Sequence, residues 1–250
     1  MSWKKTAAIV IPALALTLGA AGGAQAANLV VNGDFETTTN GPNLQFDSFT
    51  VATGWTSTNA DHNAYNFIYS PGAADTTGAN GDSGNVQLWG PGNGSNNGLT
   101  TSPTGGNFVA ADGPYHGGAI SQTINGLTIG DTYAVGFWWA GAQQKGFTGA
   151  TQEMWTVSFG SQSQSTALVD NLNHGFTGWM YESFNFTANN TSEVLSFLAY
   201  GTPTGVPPFT LLDGVTVNAV PEPSALLLMG GGMLGLGVAG LRRRGKSTTV

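Results

Sequence analysis

The chain has 250 residues, of which only 8% are charged and 40% are hydrophobic, with no cysteine and a formal charge of −7. Disulfides, zinc–thiolate sites, iron–sulfur clusters and thiol nucleophiles are therefore excluded, and the apolar content argues against a disordered chain. Between residues 27 and 219 thirteen carboxylates face a single cation, Lys145. A body this acidic repels phosphate backbones, so nucleic acid is excluded as a partner.

In chain order, the first element is an address rather than a fold. Lys4 and Lys5 precede an apolar run over 7–18, and Ala24-Gln25-Ala26 places small residues where signal peptidase cuts. Residues 1–26 read as a signal peptide, the alternative being a short membrane anchor.

Residues 27–219 read as one all-β domain, a two-sheet sandwich of about ten strands separated by turn signals. Strands are predicted over 29–35, 64–69, 107–110 and 119–124, with one short strand at 85–89 inside a Gly-, Asn-, Ser- and Thr-rich stretch, 72–106, that otherwise reads as long loops. In the second half alternation is strict: Tyr133, Val135, Phe137 and Trp139 share one face, then Trp155, Val157 and Phe159, then Met180, Phe184 and Phe186. Leu195 and Phe197, and finally Phe209, Leu211, Val215 and Val217, continue the pattern. Period-two runs of this kind mark half-buried strands.

The other end is a second address. Pro221-Glu222-Pro223 is followed by an uncharged apolar stretch over 225–241 and by Arg242-Arg243-Arg244. As a helix that stretch is about 26 Å long, marginally enough to cross a thin membrane, with the arginines held on the cytoplasmic side. A permanent single-span anchor is one reading of it. The three parts in this order resemble the PEP-CTERM sorting signal of Gram-negative exopolysaccharide producers, a segment also known as the ice-binding protein C-terminal domain. The resemblance implies cleavage near the Pro-Glu-Pro motif by exosortase, a membrane protease. It also implies a precursor held transiently in the inner membrane and a product delivered to the envelope, cell surface or matrix.

Three segments of the body carry a further likeness. Residues 28–36 (Asn-Leu-Val-Val-Asn-Gly-Asp-Phe-Glu) with Gly54-Trp55, residues 120–133 around Gly130-Asp131-Thr132-Tyr133, and residues 211–217 around Asp213-Gly214 occur in this order. They are similar to the galactose-binding-like jelly rolls, including carbohydrate-binding modules. The resemblance implies a jelly-roll sandwich and a structural calcium ion joining the loop after the first strand to the last strand. Carried onto this sequence, its ligands are Glu36 and Asp213, with Asp34 as a weaker candidate.

The residues themselves bear on that metal. On a regular strand Asp213 shares a face with Phe209, Leu211, Val215 and Val217, so its carboxylate needs a partner, and Lys145 is the only cation on offer. Calcium accepts oxygen ligands alone. A bulge that turns Asp213 to solvent, or backbone hydrogen bonds to it, are the alternatives.

Aromatic residues suggest sugar stacking. Trp138 faces away from its neighbours Phe137 and Trp139, and Trp89 and Tyr115 lie beside Gly-rich loops. Such rings stack on pyranose C–H faces or else cap the core. Signs of catalysis are poor. Gly81-Asp82-Ser83-Gly84 imitates a serine-protease loop without matching contexts at His62, His116 or His174, and no histidine pair has metal spacing. The expectation is therefore a non-enzymatic exported protein that binds or organises extracellular polysaccharide. A purely structural or adhesive matrix protein is the alternative, and a glycan hydrolase a more distant one.

Overall fold

The computed structural model describes residues 27–59 and 64–221, so the signal peptide with Ala24 and Ala26, His62, Glu222, Pro223, the apolar stretch 225–241 and Arg242 to Arg244 lie outside the described residues. Among the described residues no helix is long and apolar enough to cross a membrane.

The described chain forms a two-sheet jelly-roll sandwich, as the alternation predicts. In chain order its strands are β1 (Leu44–Gln45), β2 (Thr56–Thr58), β3 (Asn66–Tyr69), β4 (Ala79–Gly81), β5 (Gly84–Val86), β6 (Phe108–Asp112) and β7 (Ala119–Asn125). There follow β8 (Thr132–Gln143), β9 (Thr151–Phe159), β10 (Gln162–Ser165), β11 (Val169–Asn171), β12 (Met180–Thr187), β13 (Ser192–Thr202) and β14 (Pro208–Ala219). One sheet has eight strands in the order β12-β8-β14-β6-β3-β1-β4-β5, and the other runs β10-β9-β13-β7-β2 with β11 beside β9. Strands beyond the ten predicted are short, and runs of two to four residues show too little alternation to be read.

The main core lies between the sheets. Tyr133, Val135, Phe137 and Trp139 of β8 meet Trp155, Val157 and Phe159 of β9 and Leu195 and Phe197 of β13 there. The long strands β8 and β14 lie side by side toward the β12 edge of the larger sheet, with Leu211 opposite Ala140 and Asp213 opposite Trp138.

Residues 29–35 are not a strand. Asn32 and Phe35 have φ of 52° and 56°, which breaks the extended run. The Asn32 side chain accepts the Thr37 N–H at 2.9 Å and donates to the Thr37 and Thr53 carbonyls, a turn chemistry that Asn tolerates at positive φ. The segment instead lies against β14, where the Val215 N–H donates to the Gly33 carbonyl at 2.9 Å. A Cβ at position 33 would overlap the Val215 carbonyl oxygen, so only glycine permits this approach. Phe35 is thereby buried on Trp55, ring centroids 5.1 Å apart, and the Trp55 indole N–H donates to the Val31 and Asn32 carbonyls.

The larger sheet is buried on its outer face too. Phe67, Tyr69, Phe108, Ala110, Ala140, Ala142, Phe209 and Leu211 form a second core under a cover made by Ala74, Leu88 and Leu99, with Phe176 and Trp179 packed against it. The stretch that reads as loops is thus a layer of the protein.

Candidate functional site

Period two places Asp112 on the covered outer face with Phe108 and Ala110, and Tyr65 on that face with Phe67. Asp112 ends β6 opposite Phe209, where the cover stops. A pocket of about 360 Å³ opens there, lined by Tyr65, Asp112, Tyr115, Gln144, Phe147 and Ser83 among others. Asp112 is 1% exposed. Its Oδ1 accepts the Tyr115 N–H at 3.3 Å, and its buried Oδ2 has no hydrogen-bond partner. Burial raises its pKa from 3.8 to about 7, opposed only by the Tyr115 amide. The Tyr65 phenol is pushed up to about 12, first by burial and then by the charges of Asp112 and Tyr115. The Tyr65 and Tyr115 rings meet edge to face at 5.0 Å, and Tyr115 and Phe147 are 45% and 39% exposed. This is a concave site in which three aromatic rings meet a carboxylate, an amide and two hydroxyl side chains, the usual make-up of a small-molecule pocket.

The pocket brings in one predicted ligand residue, Tyr115, and adds Tyr65, Asp112, Gln144 and Phe147, which sequence reasoning missed. One further step of the β6 alternation beyond Ala110 would have placed Asp112 with the outward set. The cover that makes this face a site rather than a solvent surface had no periodic signal.

Trp138 of β8 lies on the same face, opposite Asp213 of β14 and four residues before Ala142, the partner of Phe209. It is half-buried, edge-on to Tyr181 at 5.4 Å, and Tyr181 is exposed. The pair forms an open ring surface rather than a pocket. Trp89 belongs elsewhere: its ring stacks on His174 at 3.9 Å and its indole N–H donates to the Phe147 carbonyl at 3.0 Å. It holds the Phe147 loop and is not itself a free stacking face.

Asp213 is fully buried, but not with Val215 and Val217 as the regular-strand reading has it. The pairing of β14 with β8 shifts between Asp213 and Thr216, and Gly214 has φ of 60°. This bulge leaves Asp213 on the outer face with Phe209 and Leu211 while Val215 and Val217 turn into the main core. Its Oδ2 accepts the Thr104 hydroxyl, and Oδ1 is buried with no partner. Burial raises its pKa to about 7; hydrogen bonds from Ser102, Thr104 and Gly214 oppose this, and the charge of Asp34 adds to it. Asp34 is exposed, and the exposed Glu36 accepts the Asn107 N–H through Oε1. Among the described residues no group of three or more His, Cys, Asp or Glu side chains stands together as a metal site. Of the three expected calcium ligands, Asp213 fits best: an orphaned carboxylate oxygen beside hydroxyls, with the charge of Asp34 acting on it.

Two other motifs have plain structural roles. Asp82 and Ser83 are the turn between β4 and β5, with Asp82 accepting the Ser48 hydroxyl at 3.1 Å. At Pro91–Asn93, a single 3₁₀ turn, the Gly92 N–H is taken by Asp75 at 2.7 Å.

Residues 219–244 match the PEP-CTERM protein-sorting motif. The chain is an exported protein. The motif implies exosortase processing and a destination at the cell surface or beyond it. No curated protein matches the chain. Among solved structures it is similar to the carbohydrate-binding module TmCBM61 in complex with β-1,4-galactotriose, at 15% identity and TM-score 0.39, over 78% of this chain and 99% of that one. The CBM22-1 xylan-binding domain of Paenibacillus barcinonensis Xyn10C is similar at 11% identity and TM-score 0.35, covering 79% and 97% of the two chains. The K3 cleaved adhesin domain of Porphyromonas gingivalis Lys-gingipain is similar at 12% and 0.37, covering 78% and 97%. At these identities the likeness does not speak to this chain's ligand.

Proposed function

We propose that the mature protein binds polysaccharide without cleaving it, in the envelope or extracellular matrix of a Gram-negative bacterium, after passing through an inner-membrane precursor. The observation that carries this is the pocket at Asp112, where Tyr115 and Phe147 offer exposed ring faces and Asp112, Gln144 and Ser83 offer hydrogen-bonding groups. Rings bury sugar C–H faces and the polar groups accept or donate to hydroxyls. Trp138 and Tyr181 extend the stacking surface along the same face. Hydrolysis of a glycosidic bond needs two carboxylates flanking it. Asp112 is the one carboxylate among the residues that line the pocket, so the lining offers no such pair. A calcium ion at Asp213, with Asp34 as second carboxylate, belongs to the same reading as a fold-stabilising ligand. The orphaned Oδ1 supports it.

The test is a glycan screen with the purified mature protein, including the exopolysaccharide of its own host. Binding that weakens with Tyr115→Ala at unchanged melting temperature is expected; absence of binding to every glycan overturns the proposal. A purely adhesive role is favoured by one observation, the exposed Val194, Leu198 and Tyr200 on the outward face of β13. It predicts self-association and no glycan binding.

A further inference from the structure

A neutral sugar leaves one feature of the pocket unused. Asp112 is a buried carboxylate whose Oδ2 has no partner, and the body's single lysine is engaged elsewhere, with Lys145 Nζ donating to Gln87 Oε1 at 3.0 Å. Hydroxyl groups could donate to Asp112, but they bring no charge to offset an ionised carboxylate taken out of water. A metal ion is a poor occupant, because Asp112 is the one carboxylate in the lining, three of the lining side chains are aromatic, and calcium takes six to eight oxygens, usually from several carboxylates and carbonyls. An ammonium group satisfies both parts. It donates charge-assisted hydrogen bonds to the carboxylate, and ring faces attract it through their quadrupoles. The excess of thirteen carboxylates over one lysine also raises the local concentration of cations around the body.

We propose that the Asp112 pocket recognises a protonated amine on a sugar, a hexosamine unit whose amino group is free. This inference rests on the polysaccharide-binding reading and names the unit that the pocket selects. The ammonium sits between Asp112 Oδ2 and the rings of Tyr65 and Tyr115, and the pyranose ring lies toward the exposed face of Phe147.

The experiment compares β-1,4-linked tetramers of glucosamine, N-acetylglucosamine and glucose, which differ only at the second carbon, by calorimetry with the mature protein at fixed ionic strength. The glucosamine tetramer is expected to bind about tenfold tighter or more than the other two. Asp112→Asn should erase the preference. It keeps an acceptor for the Tyr115 N–H and removes a buried charge, so its melting temperature should not fall. Asp47→Asn removes one charge at an exposed position and should leave the preference intact. Tyr115→Ala, at an exposed ring, supplies a second variant and should weaken the preference. Acetylating the amines of the host exopolysaccharide should weaken its binding.

Equal affinity for the three tetramers overturns the inference, as does a preference that Asp47→Asn reduces as much as Asp112→Asn. If the host polysaccharide binds equally before and after acetylation, the amine is refuted and polysaccharide binding stands. If no glycan binds at all, both fall.

Discussion

Glu153 gives the sharpest test of how this interior handles charge. It is fully buried on β9, its Oε1 accepts the Thr151 hydroxyl, and its Oε2 is buried without a partner. The Gly141 Cα faces it so closely that a Cβ there would press on the carboxyl. Burial raises its pKa from 4.5 to about 8; hydrogen bonds from Thr151 and Asn171 oppose the shift, and Asp170 adds to it. Between those two values the folded state holds a proton that the unfolded state has released. Stability from this group is therefore greatest below about 4.5, falls as pH rises, and levels off above about 8. At ~1.4 kcal/mol per pH unit the full window is worth a ceiling of about 5 kcal/mol. Glu153→Gln removes the titration and retains the acceptor for Thr151, while its extra amide hydrogens cost about 1–3 kcal/mol if unpaired. The variant should thus be the less stable protein at pH 4.5 and the more stable one at pH 8, with a crossing between. Urea unfolding followed by the fluorescence of the buried Trp55, Trp139 and Trp155 reads this directly. Asp112 and Asp213 titrate in both proteins and cancel in the difference. A stability difference that stays constant from pH 5 to 8 refutes the protonated interior Glu153.

Three further outcomes are expected. Calcium added to the mature protein should raise its melting temperature, by the equivalent of about 2.7 kcal/mol at a hundredfold excess over the dissociation constant, and Asp213→Asn should abolish the rise; no shift in the wild-type protein overturns the metal at Asp213. Gly33→Ala should cost about 1–3 kcal/mol in denaturant unfolding through overlap with the Val215 carbonyl, and wild-type stability would sink the close packing of 28–36 on β14. Trp89→Ala should lower the melting temperature, because it removes the stack on His174 and the hold on the Phe147 carbonyl, whereas Tyr115→Ala should lower glycan affinity and leave melting unchanged. Matching behaviour of the two variants would refute that division of roles.

What the sequence disclosed depended on strand length. β8, β9 and β14 run nine to twelve residues, long enough for period two to stand out. β9 alternates buried and half-buried positions throughout. That is why the inward set from Tyr133 to Trp139 and the outward placement of Trp138 were legible. At 29–35 the same apolar alternation misled, because Asn32-Gly33-Asp34 makes a turn whose carbonyl and missing side chain serve β14. The bulge at Gly214 is one glycine in a strand, a signal that names a bend without its direction.

The second core was illegible for a different reason. Its cover contributes little bulk, chiefly Ala74, Leu88 and Leu99, and is held by side chain–backbone bonds such as Asn93 Nδ2 to the Leu88 carbonyl at 2.7 Å and Asn97 Nδ2 to the Trp89 carbonyl at 2.8 Å. Hydrogen-bonded Asn and Gly read as loop whether they lie over solvent or over a sheet. Yet this layer turns the charge arithmetic into chemistry. Without it Asp112 and Asp213 would face water and ask for nothing; beneath it each has an unpartnered oxygen and no lysine to meet it. Glu153, enclosed between the sheets, can only keep its proton. Asp112 lines the pocket proposed for an amine, and Asp213, hydrogen-bonded by Thr104, is the proposed calcium position; burial raises both carboxyls to about 7, so above that pH each is a buried charge with no cation of this chain beside it. The scarcity of lysine in the body is thus the shared premise of the two cation proposals on one face of the larger sheet, and the amine and calcium experiments test them separately.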